Sequence, residues 1–439
     1  MADGFATAPA PRNEPVRGYA PGSPEREVIV AELDKMRGEV VEFGGVVGGN
    51  EMTTGDLADL VCPHDHAHVL ARYHRCGAAE TLKAIDAAKS AHPAWSNTPW
   101  ESRAAVFLRA AELLATKYRA TLNAATMLNL SKTVHQAEID SACELIDFLR
   151  FNVAFLTRIY GEQPCSGPGV WNRVEYRPLE GFVFAVAPFN FTSIAANLPT
   201  SAALMGCTVV WKPSPNAALP AFYVMRLLEE AGLPKGVINL VTGRPAEIGE
   251  VALRHPDLGG IHFTGSTATF QYFWRAVGEN IANYMSYPRI VGETGGKDFI
   301  FAHPTADLDA LACAIIRGGY EYQGQKCSAA SRVYVPASLW PDLKDRLVAT
   351  IADIQMGCVC DFKNFMGAVI DRPAFTRITG YLDHARGRPE YEIIAGGGAD
   401  DSKGYFVEPT LIEAKEPGAK LLREEIFGPV VTAYTYEDR

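Results

Sequence analysis

Between residues 181 and 265 the chain alternates short β-branched or aromatic runs with segments of helical length, and this pattern restricts the possible folds most. Gly181–Ala187, Thr208–Trp211, Val237–Val241 and Gly260–Phe263 read as strands. The segments between them, roughly Ser193–Met205, Leu219–Ala231 and Ala246–Arg254, read as helices. Such alternation predicts an α/β fold: a Rossmann-type parallel sheet with helices on both faces, which binds ligands at the carboxyl ends of its strands.

A chain of 439 residues exceeds what one core usually supports, so at least two domains are expected. A second α/β stretch begins near Ile290 and contains Ala306–Tyr320, Arg332–Val335 and Leu339–Gln355. On the amino-terminal side, Pro9, Pro11, Pro15, Pro21 and Pro24 make residues 1–26 an extended arm. Amphipathic helices are expected over Ala78–Ala91, Glu101–Asn129 and about Ala137–Thr157. Arg173–Arg177 alternates as an exposed strand would. Pro429–Arg439 reads as a strand followed at once by the end of the sequence, which would leave a sheet edge after Tyr436.

The 48% hydrophobic and 21% charged fractions are those of a globular protein. A net charge of −10 argues against nucleic acid or an anionic membrane as partner. The most apolar stretch, Gly181–Trp211, is interrupted by Pro188, Asn190, Asn197 and Pro199, so no membrane span is expected. The first residues show neither a secretory nor a transit pattern. Nine cysteines (62, 76, 143, 165, 207, 313, 327, 358 and 360) follow no repeated spacing and are odd in number. Free thiols in a reducing compartment are the simplest reading: the cytoplasm, or the mitochondrial matrix in a eukaryote.

Four segments hold residue types suited to chemistry. Ala187-Pro-Phe-Asn190-Phe191-Thr follows a strand, where Asn190 could merely cap a helix. Val210-Trp-Lys212-Pro-Ser ends another strand, so Lys212 is either a solvated side chain or a ligand for a ribose or phosphate. Phe263-Thr-Gly265-Ser266-Thr-Ala-Thr269 joins a strand to a helix start, either a plain cap or a pyrophosphate site. The fourth pairs Glu293-Thr-Gly-Gly-Lys297 with Gly324-Gln-Lys326-Cys327-Ser328. A thiolate gains nucleophilicity near a cation or a helix N-terminus, and Lys326 with a helix-like start after Cys327 would supply both.

These segments, in this order and with Glu424-Glu425-Ile-Phe427-Gly-Pro429 after them, resemble the aldehyde dehydrogenase superfamily from residue 9 onward. Asn13-Glu-Pro-Val, Pro63-His-Asp-His, Trp171-Asn-Arg-Val-Glu-Tyr-Arg and Gln325-Lys-Cys-Ser-Ala-Ala-Ser-Arg are similar to its 1-pyrroline-5-carboxylate dehydrogenase branch. The resemblance implies NAD-dependent oxidation of L-glutamate γ-semialdehyde, a small-molecule substrate, to L-glutamate in proline catabolism. Cys327 would be the nucleophile, Glu293 the general base and Asn190 an oxyanion donor. Ala187, Lys212, Gly265, Ser266, Thr269, Glu425 and Phe427 would bind the cofactor, and Ser328 and Phe191 the substrate.

The resemblance also implies a dinucleotide domain over 1–157 and 177–292, an oligomerisation hairpin over 158–176 and a catalytic domain over 293–439. The full-length form would be a homodimer or larger homo-oligomer. Family members continue past the point where this sequence stops, with a loop that anchors the amino-acid end of the substrate. An impaired fragment that still binds NAD, and a dehydrogenase of another aldehyde, are therefore the alternatives. NADP is not excluded, because Ser214 stands where many NAD-specific relatives have an acidic residue.

Three features are read as carrying no chemistry. Cys62-Pro-His64-Asp-His66-Ala-His68 lacks paired zinc-ligand spacing and is read as a solvated polar hairpin, with no metal. Cys358-Val-Cys360 has no histidine near it in sequence and is read as packing. Gly44–Gly49 is read as a strand turn.

Overall fold

The computed structural model describes residues 7–438. Two compact units are distinguished: Met1–Leu60 with Ala71–Ala125 and Glu138–Glu293, and Val61–Leu70 with Thr126–Ala137 and Thr294–Arg439.

The first unit opens with an extended segment that ends where Ser23 caps helix α1 (Pro24–Gly38). Short strands β1 (Val41–Phe43), β2 (Val46–Val47) and β3 (Asn50–Glu51) follow, then the hairpin of β4 (Leu57–Cys62) and β5 (Asp65–His74), of which Val61–Leu70 belongs to the second unit. Gly48 and Gly49 have φ of 59° and 77°, so the glycine run makes the tight turn between β2 and β3. The helices are α2 (Ala78–Ser96), α3 (Trp100–Leu113), α4 (Arg119–Leu130) and α6 (Leu145–Gly161), whereas α5 (Val134–Ala137) and the end of α4 belong to the second unit. Where single helices were expected, π-helical turns intervene at Leu114–Tyr118 and Glu138–Glu144.

The alternating region then forms β6 (Phe182–Val186), α7 (Thr192–Leu204), β7 (Val209–Lys212), α8 (Ala218–Glu230), β8 (Ile238–Leu240), α9 (Pro245–Arg254), β9 (Leu258–Gly265), α10 (Thr267–Glu279) and β10 (Arg289–Thr294). The sheet order is β10-β9-β6-β7-β8-β2-β3, with β6 to β9 parallel as their sequence alternation predicts. Successive residues of a strand serve opposite faces. Val183, Ala185, Val209 and Trp211 join one core with α3, α6, α7 and α8, whereas Phe182, Phe184, Val186 and Val210 join another with α2, α9 and α10.

Residues 173–177 form no strand. The Gln163 side chain occupies their backbone instead, accepting the Val174 N–H at 3.0 Å and donating to the Val174 carbonyl at 3.3 Å.

In the second unit the strands are β11 (Phe299–Phe301), β12 (Arg332–Pro336), β13 (Tyr391–Ala395), β14 (Ala399–Asp400), β15 (Phe406–Val407), β16 (Thr410–Ala414) and β17 (Val430–Tyr436). Five of them form a sheet in the order β11-β12-β17-β16-β13, packed on α11 (Leu308–Tyr320) and α12 (Trp340–Asp353). Helices α13 (Arg372–Arg386) and α14 (Lys420–Arg423) complete the unit. The last strand is not an edge: β17 pairs in parallel with β12 on one side and β16 on the other. The sequence expectation misjudged this because the partners of β17 all precede it in the chain.

Candidate active site

In the first unit the cofactor candidates converge. Val186 of β6 is in register with Lys212 of β7 and Phe263 of β9, so Ala187, Lys212 and Gly265–Ser266 lie at the carboxyl ends of three adjacent strands. Lys212 is not a solvated side chain. It is 4% exposed, its Nζ donates to the Pro213 carbonyl at 3.2 Å, and burial pushes its pKa down to about 8. Ser266 does cap α10, its Oγ accepting the Thr269 N–H at 3.2 Å. The first turn, Ser266 to Ala268, is exposed, leaving the positive end of the helix open to an anion. Gly265 is fixed by packing: a Cβ there would meet the Phe263 ring, which stacks on Phe270 at 5.7 Å.

Asn190 is 4% exposed and lies one residue before the α7 N-cap, the half-buried Phe191. Asp140, on the π-helical turn, caps the start of α7. Its Oδ2 accepts the Thr192 N–H at 3.0 Å, and Oδ1 accepts the Ser193 N–H at 2.9 Å and hydroxyl at 2.7 Å. Sequence reading missed Asp140, whose acidic neighbours Glu138 and Glu144 mask it. Glu293 lies in β10, exposed.

The second unit builds the thiol site. After α11, Tyr322, Gln323 and Gly324 take φ of 50°, 55° and 65°. Non-glycine residues in that region cost of order 1 kcal/mol or more each, and such strain concentrates at functional sites. Side-chain bonds to remote backbone hold the loop in this form: Gln323 Nε2 donates to the Ala368 carbonyl at 2.6 Å, and its Oε1 accepts the Gly367 N–H at 3.0 Å. Gln325 Oε1 accepts the Ile370 N–H at 3.0 Å. Lys326-Cys327-Ser328 then forms a turn, with Cys327 half-buried and Ser328 exposed, and leads into β12. The expected helix start after Cys327 does not occur, because the chain goes from turn to strand. Lys326 faces Glu321 at 3.4 Å.

Gly295 and Gly296 link this turn to the Glu424–Pro429 segment. The Gly296 N–H donates to Glu425 Oε1 at 3.2 Å, and a Cβ on Gly296 would lie 3.5 Å from the Cys327 carbonyl oxygen. A Cβ on Gly295 would overlap the Glu425 carboxylate, and one on Gly324 the Gly428 carbonyl. Burial pushes the Glu425 carboxyl up, against the opposing pull of Gly296 N–H, Arg377 and Lys297. Phe427 also takes a left-handed φ, 54°. Three segments remote in sequence thus meet.

Among the other thiols, burial raises the pKa of Cys76, Cys143 and Cys207, Cys143 to about 12. Two of the features read as chemically silent have surroundings that the sequence did not show. The His64 end of the hairpin is buried, not solvated; its Nδ1 lies 3.2 Å from Ser131 Oγ, and the ring lowers the Cys358 pKa. The Cys358–Cys360 pair therefore has a histidine after all, brought from nearly three hundred residues away in sequence.

The family profile described as "Aldehyde dehydrogenase family" matches residues 51–439. This chain belongs to the aldehyde dehydrogenase family. Among its relatives, the mitochondrial delta-1-pyrroline-5-carboxylate dehydrogenase of Dictyostelium discoideum is 47% identical over 99% of this chain and 78% of its own length. The human mitochondrial enzyme of the same name is 45% identical over 97% of this chain and 76% of its own. The crystal structure of the Mycobacterium tuberculosis delta-pyrroline-5-carboxylate dehydrogenase bound with NAD covers all of this chain and 81% of its own, with a TM-score of 0.96 and 50% identity. An α/β architecture with a Rossmann-type sheet is thus the aldehyde dehydrogenase fold. Among the described residues, no helix is long and apolar enough to cross a membrane.

Proposed function

We propose that this aldehyde dehydrogenase oxidises L-glutamate γ-semialdehyde, derived from 1-pyrroline-5-carboxylate, to L-glutamate with NAD. Family membership supports the reaction class, and the names of relatives 45–47% identical support the substrate. The observation that carries the site reading is the close approach at Gly295–Gly296, which bonds Glu425 on one side and leaves room for the Cys327 turn on the other.

The dinucleotide fits the residues present. Lys212 is a buried amine that donates to a backbone carbonyl, and it shares a sheet edge with the exposed start of α10. In this reading Lys212 holds the adenosine ribose, Ala187 lines that edge, Gly265, Ser266 and Thr269 hold the pyrophosphate, and Glu425 and Phe427 hold the nicotinamide end. Bound NAD supplies the two-electron oxidant. NAD is favoured over NADP by the bound cofactor of the M. tuberculosis relative.

The Cys327 sulfur adds to the aldehyde carbon, forming a C–S bond and an oxyanion. The Asn190 amide and the Cys327 backbone N–H donate to that oxyanion, where one donor is commonly worth ~3 kcal/mol. Oxidation leaves a thioester on Cys327. Glu293 takes a proton from water, which attacks the thioester carbon and releases the carboxylic acid and the Cys327 thiolate. Ser328 receives the substrate carboxylate and Phe191 lines the aliphatic channel. A homo-oligomeric assembly in the mitochondrial matrix or bacterial cytoplasm belongs to the same proposal.

The test is formation of NADH with 1-pyrroline-5-carboxylate against a panel of simple aliphatic aldehydes. A kcat/KM for any of them equal to that for the semialdehyde would reject the substrate assignment.

A further inference from the structure

Cys358 and Cys360 share a tight turn. The Asp361 N–H donates to the Cys358 carbonyl at 3.0 Å, and Asn364 Nδ2 donates to the same oxygen at 2.9 Å. Both thiols are half-buried; Cys360 and His64 are the side chains that act on the Cys358 thiol, and Val359 between the two cysteines packs with Ser131 around Gly367. His64 is itself positioned. Ser131 Oγ accepts the Ala368 N–H at 2.9 Å and lies 3.2 Å from His64 Nδ1. Hydrogen bonds from Cys360, and then from His64, hold the Cys358 thiol far below the ordinary thiol range against the opposing effect of burial.

The turn is also wired to the nucleophile loop. The Gly357 N–H donates to the Met366 carbonyl at 3.1 Å, and the adjacent Gly367 N–H donates to Gln323, four residues before Cys327.

We propose that Cys358 and Cys360, with His64, form a reactive dithiol that a hydroperoxide converts into a disulfide within the turn. The Cys358 thiolate attacks a peroxide oxygen; the S–O bond forms, the O–O bond breaks, and a sulfenic acid and hydroxide result. The Cys360 sulfur then displaces the hydroxyl group from Cys358, forming the S–S bond, and the Cys360 proton leaves with that hydroxyl as water. Two thiols are oxidised and one peroxide is reduced. His64 favours the first step by stabilising the thiolate. Any effect of oxidation on turnover acts through Gln323 and rests on the reading of Cys327 as nucleophile; the modification itself does not.

The tryptic peptide Leu347–Lys363 contains both thiols and no other cysteine. The protein and its Cys327→Ala variant are exposed briefly to equimolar hydrogen peroxide, alkylated with iodoacetamide, digested and weighed. In both, this peptide should be lighter by two hydrogens and refuse alkylation until dithiothreitol is added. Oxidation of Met356 would instead add an oxygen and is thereby told apart. Cys360→Ser should halt at a sulfenic acid on Cys358 that dimedone traps, and His64→Gln should slow its formation severalfold. If the exposed Cys165 and Cys313 are oxidised while both turn thiols still alkylate fully, the proposal is overturned. Because the readout is a mass and also uses the Cys327→Ala protein, it does not depend on the dehydrogenase reading.

Discussion

Glu425 accepts the Gly296 N–H at 3.2 Å and fills the space a side chain on Gly295 would need. The two glycines thus position a carboxylate that comes from a segment about 130 residues later in sequence. They also explain why this part of the site tolerates no Cβ at 295.

Gly295→Ala should therefore displace Glu425 without straining the backbone, since position 295 is not left-handed. If Glu425 binds the nicotinamide end of the cofactor, the Kd for NAD should rise about tenfold, ~1.4 kcal/mol. Glu425→Gln should give a smaller rise. Fluorescence titration with NAD measures both, and an unchanged Kd in Gly295→Ala would remove Glu425 from the cofactor site.

The two chemical steps should separate by mutation. Cys327→Ala should abolish turnover while leaving the thermal shift on NAD binding in place. Glu293→Gln should retain a rapid first turnover of NADH and then slow by on the order of 100-fold, because only thioester hydrolysis has lost its base. Rapid mixing decides between the alternatives. Absence of the burst in Glu293→Gln would place Glu293 before the thioester.

What sequence could and could not show follows from the range of each interaction. Strands β6 to β9 and the helices between them were legible because their signal is local periodicity, and the site motifs were legible because each is a short contiguous string. Asp140, the Ser131–His64–Cys358 chain and the glutamine anchors were not. Each depends on pairing between remote segments, and the residue types involved look ordinary where they stand. The absent helix after Cys327 has the same origin: the glutamines that tie the loop to residues 367–370 settle its path, and local propensity does not.

Asp140 should act on the chemistry through Asn190. Asp140→Ala removes the acceptor for the Thr192 and Ser193 N–H groups, which should destabilise the protein by ~1–3 kcal/mol. By loosening the start of α7, it should also lower kcat while the KM for NAD stays within about twofold, as expected if Asn190 acts on the oxyanion and not on the cofactor. Asp140→Asn keeps one acceptor oxygen and should recover part of both losses. A fall in stability with unchanged kcat would make Asp140 a structural cap alone.

Lys212 offers a prediction in which stability and function move in opposite directions. Burial lowers its pKa from 10.5 to about 8 in the folded protein. The unfolded chain therefore binds the proton more tightly, and folding below pH 8 carries the full penalty of a charged amine taken out of water. Above pH 8 the folded amine is neutral, and the cost of releasing its proton falls as pH nears 10.5, where the unfolded amine loses its own, so the penalty fades and the Lys212 contribution to stability improves. A shift of this size corresponds to at most roughly 3 kcal/mol. Lys212→Met, similar in volume and uncharged, should thus be more stable than the parent at pH 7, and the difference should shrink between pH 8 and 10.5. The same substitution should weaken NAD binding, so that saturating NAD raises the Tm of the parent more than that of the variant. Thermal denaturation from pH 7 to 10, with and without NAD, reads both effects. A variant no more stable than the parent at pH 7, yet equally responsive to NAD, would mean that Lys212 is neither held at a desolvation penalty nor part of the cofactor site.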